Sequence, residues 1–239
     1  MKTKPTVDTA DPPLVSVVMP IRNEKDHIGP CLEAVLAQDY PAYRLEVLLV
    51  DGMSDDGTRE IVSDYARRYP SIHLLDNPQH IVPTALNTGI RAAQGDIIIR
   101  VDGHTIIALY YVRQCVAALE RITADNVGGR MDAEAPGYFG KAAALATSSP
   151  FGVGSARFHY SRSEEWVNTV YMGAYRREVF DRIGLFDEEM VRDQDDEFNY
   201  RLRAHGGSIL LCPEIQSRYI NRGSPRKLWR QYYQYGFWK

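Results

Sequence analysis

The sequence predicts an α/β fold: a Rossmann-like, mostly parallel central sheet flanked by helices. Three observations predict it. Apolar, β-branched runs alternate with stretches of helical periodicity through the first half of the chain, in the order β-α-β-α-β-α-β, which is how a parallel sheet covered on both faces reads. Polar residues cluster just past the carboxyl ends of those runs, where parallel sheets bind ligands. The composition is that of a packed globular protein, 44% hydrophobic and 25% charged over 239 residues.

The elements follow in order. Leu14–Met19 is a short apolar run bounded by Pro20 and reads as a buried strand. His27–Gln38 places Ile28, Cys31, Leu32, Val35 and Leu36 at helical spacing. Leu45–Val50 is a second buried strand, ending at Asp51-Gly52, after which Ser54 or Asp55 can cap a helix to about Tyr69. Ile72–Leu75 is a short strand. Pro83 fits the first turn of a helix to about Ala93, Gly95 ends it, and Asp96–Val101 is the next strand.

The second half is less regular. Val127–Met131, Val167–Tyr175 and Ser208–Cys212 read as strands, and Pro136–Ala156 as a mixture of helix and loop. Arg176–Ile183 and Asp195–Ala204 read as helices, the latter with Phe198 and Leu202 on one face. From Ser224 the chain reads as an aromatic, basic helix. No linker of Pro, Gly and Ser separates the halves, so a single domain is expected.

Composition excludes several classes. A net charge of -3 argues against general nucleic-acid binding. The three cysteines, Cys31, Cys115 and Cys212, are far apart and form no CxxC pair, which argues against a structural zinc site and for reduced thiols in the cytoplasm. No run reaches the roughly 18 apolar residues of a membrane span. Residues 1–13 are polar and Pro-rich, without an apolar signal segment, and read as a flexible tail.

Three strand ends carry candidate site residues: Pro20, Arg22, Asn23 and Glu24 after the first, Asp51 with Ser54, Asp55 and Asp56 after the second, and Asp102-Gly103-His104 after the fourth. Asp102 and His104 can both reach one ion, and a carboxylate with an imidazole suits Mn²⁺ better than an all-oxygen Ca²⁺ cage. A metal there would bridge a diphosphate. The same spacing also serves an ordinary strand-to-loop turn. Asp51 can accept from a base or ribose, or belong to an Asp-Gly turn. Asp55 and Asp56 read as first-turn acids that complement the helix dipole. Arg22-Asn23-Glu24 is either a ligand loop or a helix start.

Further along, Asp187, Glu188, Glu189, Asp193, Asp195, Asp196 and Glu197 crowd one stretch, with Arg192 alone to offset them. A carboxylate at a helix start can serve as general base, and a solvated acidic face is the other reading. From Arg218 the charge reverses: Arg218, Arg222, Arg226, Lys227, Arg230 and Lys239 are interleaved with Trp229, Tyr232, Tyr233, Tyr235, Phe237 and Trp238. This is either an interfacial helix on an anionic membrane or a terminal helix packed on the core.

The runs VSVVMPIRNE (15–24), VDGMSDDGT (50–58) and ALNTGIRAAQGDIIIRVDGH (85–104) resemble the family 2 glycosyltransferases with the GT-A fold. GVGSARF (152–158), VYMGAYRREVFDRIGLFDE (170–188), RDQDDEFNYRLRAHGG (192–207) and RKLWRQYYQYGFWK (226–239) are similar to the succinoglycan-biosynthesis, ExoA-like branch. The resemblance implies that Pro20, Arg22, Glu24, Asp51 and Asp102 hold the nucleotide of a nucleotide-sugar donor, with Asp51 facing a uracil. The family's D-x-D motif becomes Asp102-x-His104, which implies a divalent metal, Mn²⁺ or Mg²⁺, on Asp102 and His104. The catalytic base falls on Asp195, with Asp196 one register step away.

It further implies an inverting single displacement from a donor such as UDP-glucose. The Q-x-x-R-W motif of processive members is absent, so one sugar is added per turnover. The acceptor is a saccharide, lipid-linked through a polyprenyl carrier, in exopolysaccharide or other cell-surface glycan synthesis. The enzyme is expected in the cytoplasm, peripheral to the inner face of the cell membrane through its C-terminal helix. The implied organisation is a nucleotide-sugar-binding lobe (14–125), an acceptor and catalytic-base lobe (126–217) and a basic aromatic helix (218–239). Two rivals come from other classes. A dinucleotide-binding oxidoreductase lacks its G-x-G-x-x-G here, since Pro20-Ile21-Arg22-Asn23 stands after the first strand. A non-catalytic nucleotide-sugar- or glycolipid-binding relative would have lost the base or a metal ligand, and Asp102, His104 and Asp195 are all present.

Overall fold

The computed structural model describes residues 11–134, 137–154 and 156–220, with residues 229, 233 and 236. The first half is β1 (Val15–Ile21), α1 (Ile28–Leu36), β2 (Leu45–Asp51), α2 (Thr58–Arg68), β3 (Ile72–Asp76), α3 (Val82–Ala92) and β4 (Ile97–Arg100), the expected alternation. There follow β5 (Thr105–Ile107), α4 (Tyr111–Arg121), β6 (Asn126–Glu134), α5 (Gly137–Thr147), α6 (Pro150–Val153), β7 (Glu165–Trp166), β8 (Tyr171–Arg176), α7 (Arg177–Ile183), α8 (Gln194–Ala204) and β9 (Ile209–Ile220).

Among the described residues the strands form one sheet in the order β3-β2-β1-β4-β8-β6-β9-β5, with β7 on β9. β1 to β4 are mutually parallel where they pair. β8 runs antiparallel to both β4 and β6, and β6 is parallel to β9. Strand order therefore reverses at β1, which has β2 on one side and β4 on the other. That is the switch point at whose carboxyl edge α/β sheets hold ligands.

Alternation along β1 divides the core. Val15, Val17, Met19 and Ile21 pack with Ile28, Leu32 and Val35 of α1 and Val112, Cys115 and Leu119 of α4. Val18 faces the other layer, with Leu86 and Ile90 of α3, Phe180 of α7 and Phe198 and Leu202 of α8. α3 lies close because Gly89 faces β1: a Cβ there would stand 2.4 Å from Val18 Cγ1.

Several boundaries differ from expectation. β1 does not stop at Pro20 but runs to Ile21, in register with Val50 and Asp51 of β2. Val18 O accepts from Val101 and Ile21 O from Gly52, so alternation turns Pro20 toward the β4 side, where pairing has ended at Val18. The missing N–H of Pro20 thus leaves no ladder bond unmade. α2 begins at Thr58, later than a cap at Ser54 or Asp55 requires. Asp56 accepts from the Thr58 amide at 3.0 Å, and Gly57 takes the left-handed conformation at φ 102°. Asp55 and Asp56 are thus not first-turn acids. They cross to the β1 loop, where Asn23 Nδ2 donates to Asp55 and the Lys25 amide to Asp56.

β5 and α4 are additions to the expected elements. β9 is longer than Ser208–Cys212 because it continues through Pro213 and pairs with β5 and the end of β6. At the amino end, Asp11 pairs with Arg44, and the Pro13 carbonyl accepts from the Tyr40 hydroxyl. Arg218–Ile220 extend β9 through pairing with β5 and β6 rather than opening the expected C-terminal helix of residues 218–239, and the rest of that helix lies outside the described residues, except that the exposed Trp229 and Tyr233 rings stack with centroids 5.5 Å apart. No described helix is long and apolar enough to cross a membrane.

Candidate active site

β1, β2 and β4 are neighbours, so their carboxyl ends deliver three loops to one edge. The β1 and β2 loops are sewn together. The Asn23 amide donates to Ser54 Oγ at 2.9 Å, and the Glu24 amide to Thr58 Oγ1 at 2.9 Å. Asn23 and Met53 adopt positive φ, 54° and 56°, which turns both loops sharply after their strands.

Asp51 closes β2 with a fully buried side chain. It accepts from the Ser54 amide at 3.0 Å, from the Ser54 hydroxyl and from Arg59 Nη1 at 2.7 Å. Arg59 also pairs with Asp76 at the end of β3, at 2.8 Å. Asp51 therefore builds the start of the 52–56 loop. Pro20 lies at the strand end beside Val50. Arg22 is exposed, donates to the His80 carbonyl at 3.4 Å and lays its aliphatic stem against Gly52.

Glu24 is nearly buried, and its Oε1 lies 3.0 Å from His104 Nδ1. The imidazole meets the Tyr219 ring edge-on at 5.1 Å. Gly103 lets the β4 loop fold against β1, since a Cβ there would come within 2.8 Å of Ile21 Cγ2. Asp102 receives Arg100 Nε on Oδ1 at 2.9 Å and the Tyr171 hydroxyl on Oδ2 at 3.3 Å. Tyr171 is in turn 2.8 Å from Thr105 Oγ1. Burial by itself would raise the Asp102 carboxyl, but Arg100 foremost, and His104 after it, hold it below its ordinary range.

Arg100 reaches further. Its Nη1 stands 2.7 Å from Asp195 Oδ2, in the first turn of α8. One buried guanidinium thus joins the carboxylate of the strand end to a carboxylate from a distant helix, and the pair raises its proton affinity well above the ordinary value despite burial. Asp195 keeps 30% of its side chain exposed, whereas Asp196 is exposed and turned away from this contact. Asp193 enters α8 at a φ of 57°, and Gln194 is buried.

The candidates thus fall into one connected group. Glu24, Asp102, His104 and Asp195 converge directly or through Arg100, Tyr171 and Tyr219, with the Asp51 loop adjoining through Ser54 and Thr58. Arg100 and Tyr171 were not singled out from the sequence. A single arginine ending a run of three isoleucines was the available signal for the first.

The residues fit a cation shared with a substrate. Among the described residues no three His, Cys, Asp or Glu side chains form a metal cage. One carboxylate and one imidazole make a partial shell, which suits Mg²⁺ or Mn²⁺ completed by phosphate oxygens. Glu24 on Nδ1 orients the His104 ring as carboxylate partners of metal-bound histidines do.

Comparison with known proteins places the chain in a family. The profile described as Glycosyl transferase family 2 matches residues 16–184. The chain is 31% identical over 222 residues to the succinoglycan biosynthesis protein ExoA of Rhizobium meliloti, covering 92% of this chain and 67% of that protein. It is 29% identical over 230 residues to the dolichyl N-acetyl-alpha-D-glucosaminyl phosphate 3-beta-D-2,3-diacetamido-2,3-dideoxy-beta-D-glucuronosyltransferase of Methanococcus voltae, covering 93% and 71%. The mannosyltransferase PcManGT of Pyrobaculum calidifontis, solved with GDP-Man and Mn²⁺, superposes with a TM-score of 0.72 at 24% identity. That match covers 92% of this chain but 60% of the mannosyltransferase chain. Sequence and architecture together establish that the chain belongs to glycosyl transferase family 2, a glycosyltransferase on the GT-A fold.

Proposed function

We propose that the protein transfers one sugar from a nucleoside-diphosphate sugar to a hydroxyl of a saccharide acceptor, inverting the anomeric centre. The observation that carries this reading is the convergence of the β1, β2 and β4 loops on one sheet edge, facing Asp195 across Arg100. The lobe of residues 14–125 takes the nucleotide, through Pro20, Arg22, Glu24, Asp51 and Asp102. The lobe of residues 126–217 brings the acceptor and the base.

Asp195 is the base. It is exposed enough to meet an incoming hydroxyl and lies in the first turn of a helix, where a carboxylate is favoured. It removes the hydroxyl proton as the oxygen attacks the anomeric carbon. The bond from that carbon to the diphosphate breaks, and the nucleoside diphosphate leaves with the electron pair. Asp102 and His104 would hold a divalent cation, Mn²⁺ or Mg²⁺, together with the donor phosphates, and its charge would stabilise the leaving diphosphate. Asp196 belongs to the solvated side of the helix.

Donor and acceptor are read from the relatives. The succinoglycan and dolichyl phosphate names support a lipid-linked, polyprenyl-type acceptor in exopolysaccharide or cell-surface glycan synthesis. A related solved chain was captured with UDP-GlcNAc, the mannosyltransferase with GDP-Man, and UDP-glucose remains the first donor to try. The basic aromatic tail suits a place at the inner face of the cell membrane.

A panel of UDP- and GDP-sugars tests the reading by thermal shift and by release of nucleoside diphosphate. Mn²⁺ is expected to raise the melting temperature further with the correct donor, and EDTA to abolish release. Release that persists undiminished in EDTA refutes the metal role. A panel without any binding refutes the donor class.

A further inference from the structure

We propose that Arg100 is a positioning residue for the transfer step: it sets where the carboxylate of Asp195 stands relative to the donor-holding Asp102. This rests on the glycosyltransfer reading above. Arg100 ends a strand of isoleucines, and 10% of its side chain is exposed. A cation so placed is costly unless fully paired, and a well-packed apolar residue commonly serves stability as well or better. Its two partners come from opposite sides of the site: Asp102 two residues along the chain at 2.9 Å, and Asp195 from the start of α8 at 2.7 Å.

The helix bearing Asp195 is fastened along its length, Asn199 bonding to Asn126 and Thr169 and Arg201 to the Leu185 carbonyl. Phe198 locks its underside against Phe186, Tyr175 and Phe180, with ring centroids 4.4 to 5.4 Å away. Arg100 fastens the first turn. Without it the Asp195 side chain loses the partner that selects its rotamer. Lysine cannot substitute, because a compact ammonium lacks the fork that spans two carboxylates. A misplacement of about 1 Å in a reacting group costs on the order of a hundredfold in rate.

The test compares wild type, Arg100→Lys, Asp195→Asn and the double variant. The donor is whichever of UDP-glucose, UDP-N-acetylglucosamine and GDP-mannose gives the largest thermal shift with Mn²⁺, and the readout is steady-state release of nucleoside diphosphate. Circular dichroism checks the fold. Arg100→Lys is expected to lower kcat by about 10- to 100-fold while the donor KM stays within about threefold. The double variant should be no more than about twofold slower than Asp195→Asn, because both changes disable one unit.

A kcat for Arg100→Lys within about twofold of wild type, a loss confined to KM, or effects that multiply would each overturn the inference. Retained turnover in Asp195→Asn overturns the assignment of Asp195 as the base, and this inference with it. Loss there beside a normal Arg100→Lys overturns this inference alone. Should Arg100→Lys misfold, the Arg100 Nη1–H resonance decides, since that nitrogen faces Asp195. It should shift in Asp195→Asn and stay in Asp196→Asn, and an unmoved signal in the first variant is the contrary result.

Discussion

A carboxylate proposed as a base must be reachable and aimed, and the surroundings of Asp195 supply both conditions. It is partly exposed, stands at a helix start, and is tethered by Arg100. Replacing it by asparagine keeps shape and hydrogen bonding but removes the proton acceptor. We expect Asp195→Asn to lower kcat by about 10² to 10⁴ while donor affinity by calorimetry is preserved. Near-normal turnover would end the assignment. A second residue-scale expectation concerns His159, whose ring lies 4.5 Å from that of Phe158. Burial pushes its pKa down to about 4. The unfolded chain therefore binds a proton below about 6.5 that the folded protein refuses until about 4, so stability falls as pH drops through that window. In melting curves from pH 7 to 4.5, His159→Gln should lose less stability than wild type. Parallel curves would show that burial of this imidazole is not felt.

At the scale of elements, α8 illustrates how an acidic, weakly amphipathic helix is held. Its outer face carries Asp196, Tyr200 and Arg203, and its inner face buries Phe198 and Leu202 completely. Phe198 stacks on Phe186 and meets Tyr175 edge-on. Asn199 is buried as well, accepting from Asn126 at 2.9 Å and donating to Thr169 at 2.9 Å. Phe198→Ala removes the ring on which these contacts centre. It should destabilise by about 3 to 5 kcal/mol in denaturant melts. Because α8 carries Asp195, the same variant should also lower kcat. A loss under about 1 kcal/mol would mean that the helix is anchored elsewhere.

At the scale of the whole molecule, the sheet joins two kinds of pairing. Parallel strands β1 to β4 make the edge proposed to hold the nucleotide, and β8 returns antiparallel between β4 and β6 and brings Tyr171 to the same edge, where Asp195 of α8 meets Arg100. On the proposed reading the acceptor approaches from this second side. If it is lipid-linked, the basic aromatic stretch from Arg218 provides membrane affinity that salt weakens. Sedimentation with phosphatidylserine vesicles at low salt should exceed that with neutral vesicles and fall as salt rises. Equal binding to both, or none, would remove the tail from the membrane proposal.

Much of the architecture was legible because local pattern determines it. Alternating faces of β1, the apolar spacing of α1 and the strand-end acids all follow from residues a few positions apart. The same pattern ran through α4, where Tyr111, Val112, Cys115, Val116 and Leu119 recur at helical spacing, so that helix was readable though not read. β5 was not readable: three residues have too little periodicity, and their strand exists because β9 lies alongside. The end of β1 lies beyond Pro20 because a proline is tolerated where β4 has already left. The sequence by itself determined the α/β class, the two buried layers and the positions at which polar groups leave the sheet. Only the tertiary structure decided that β4 lies beside β1, that Glu24 meets His104, and that Asp195 rather than Asp196 shares Arg100 with Asp102. Periodicity encodes which face a residue presents, whereas these contacts depend on strand order and helix rotation, which are selected by packing between segments far apart in the chain.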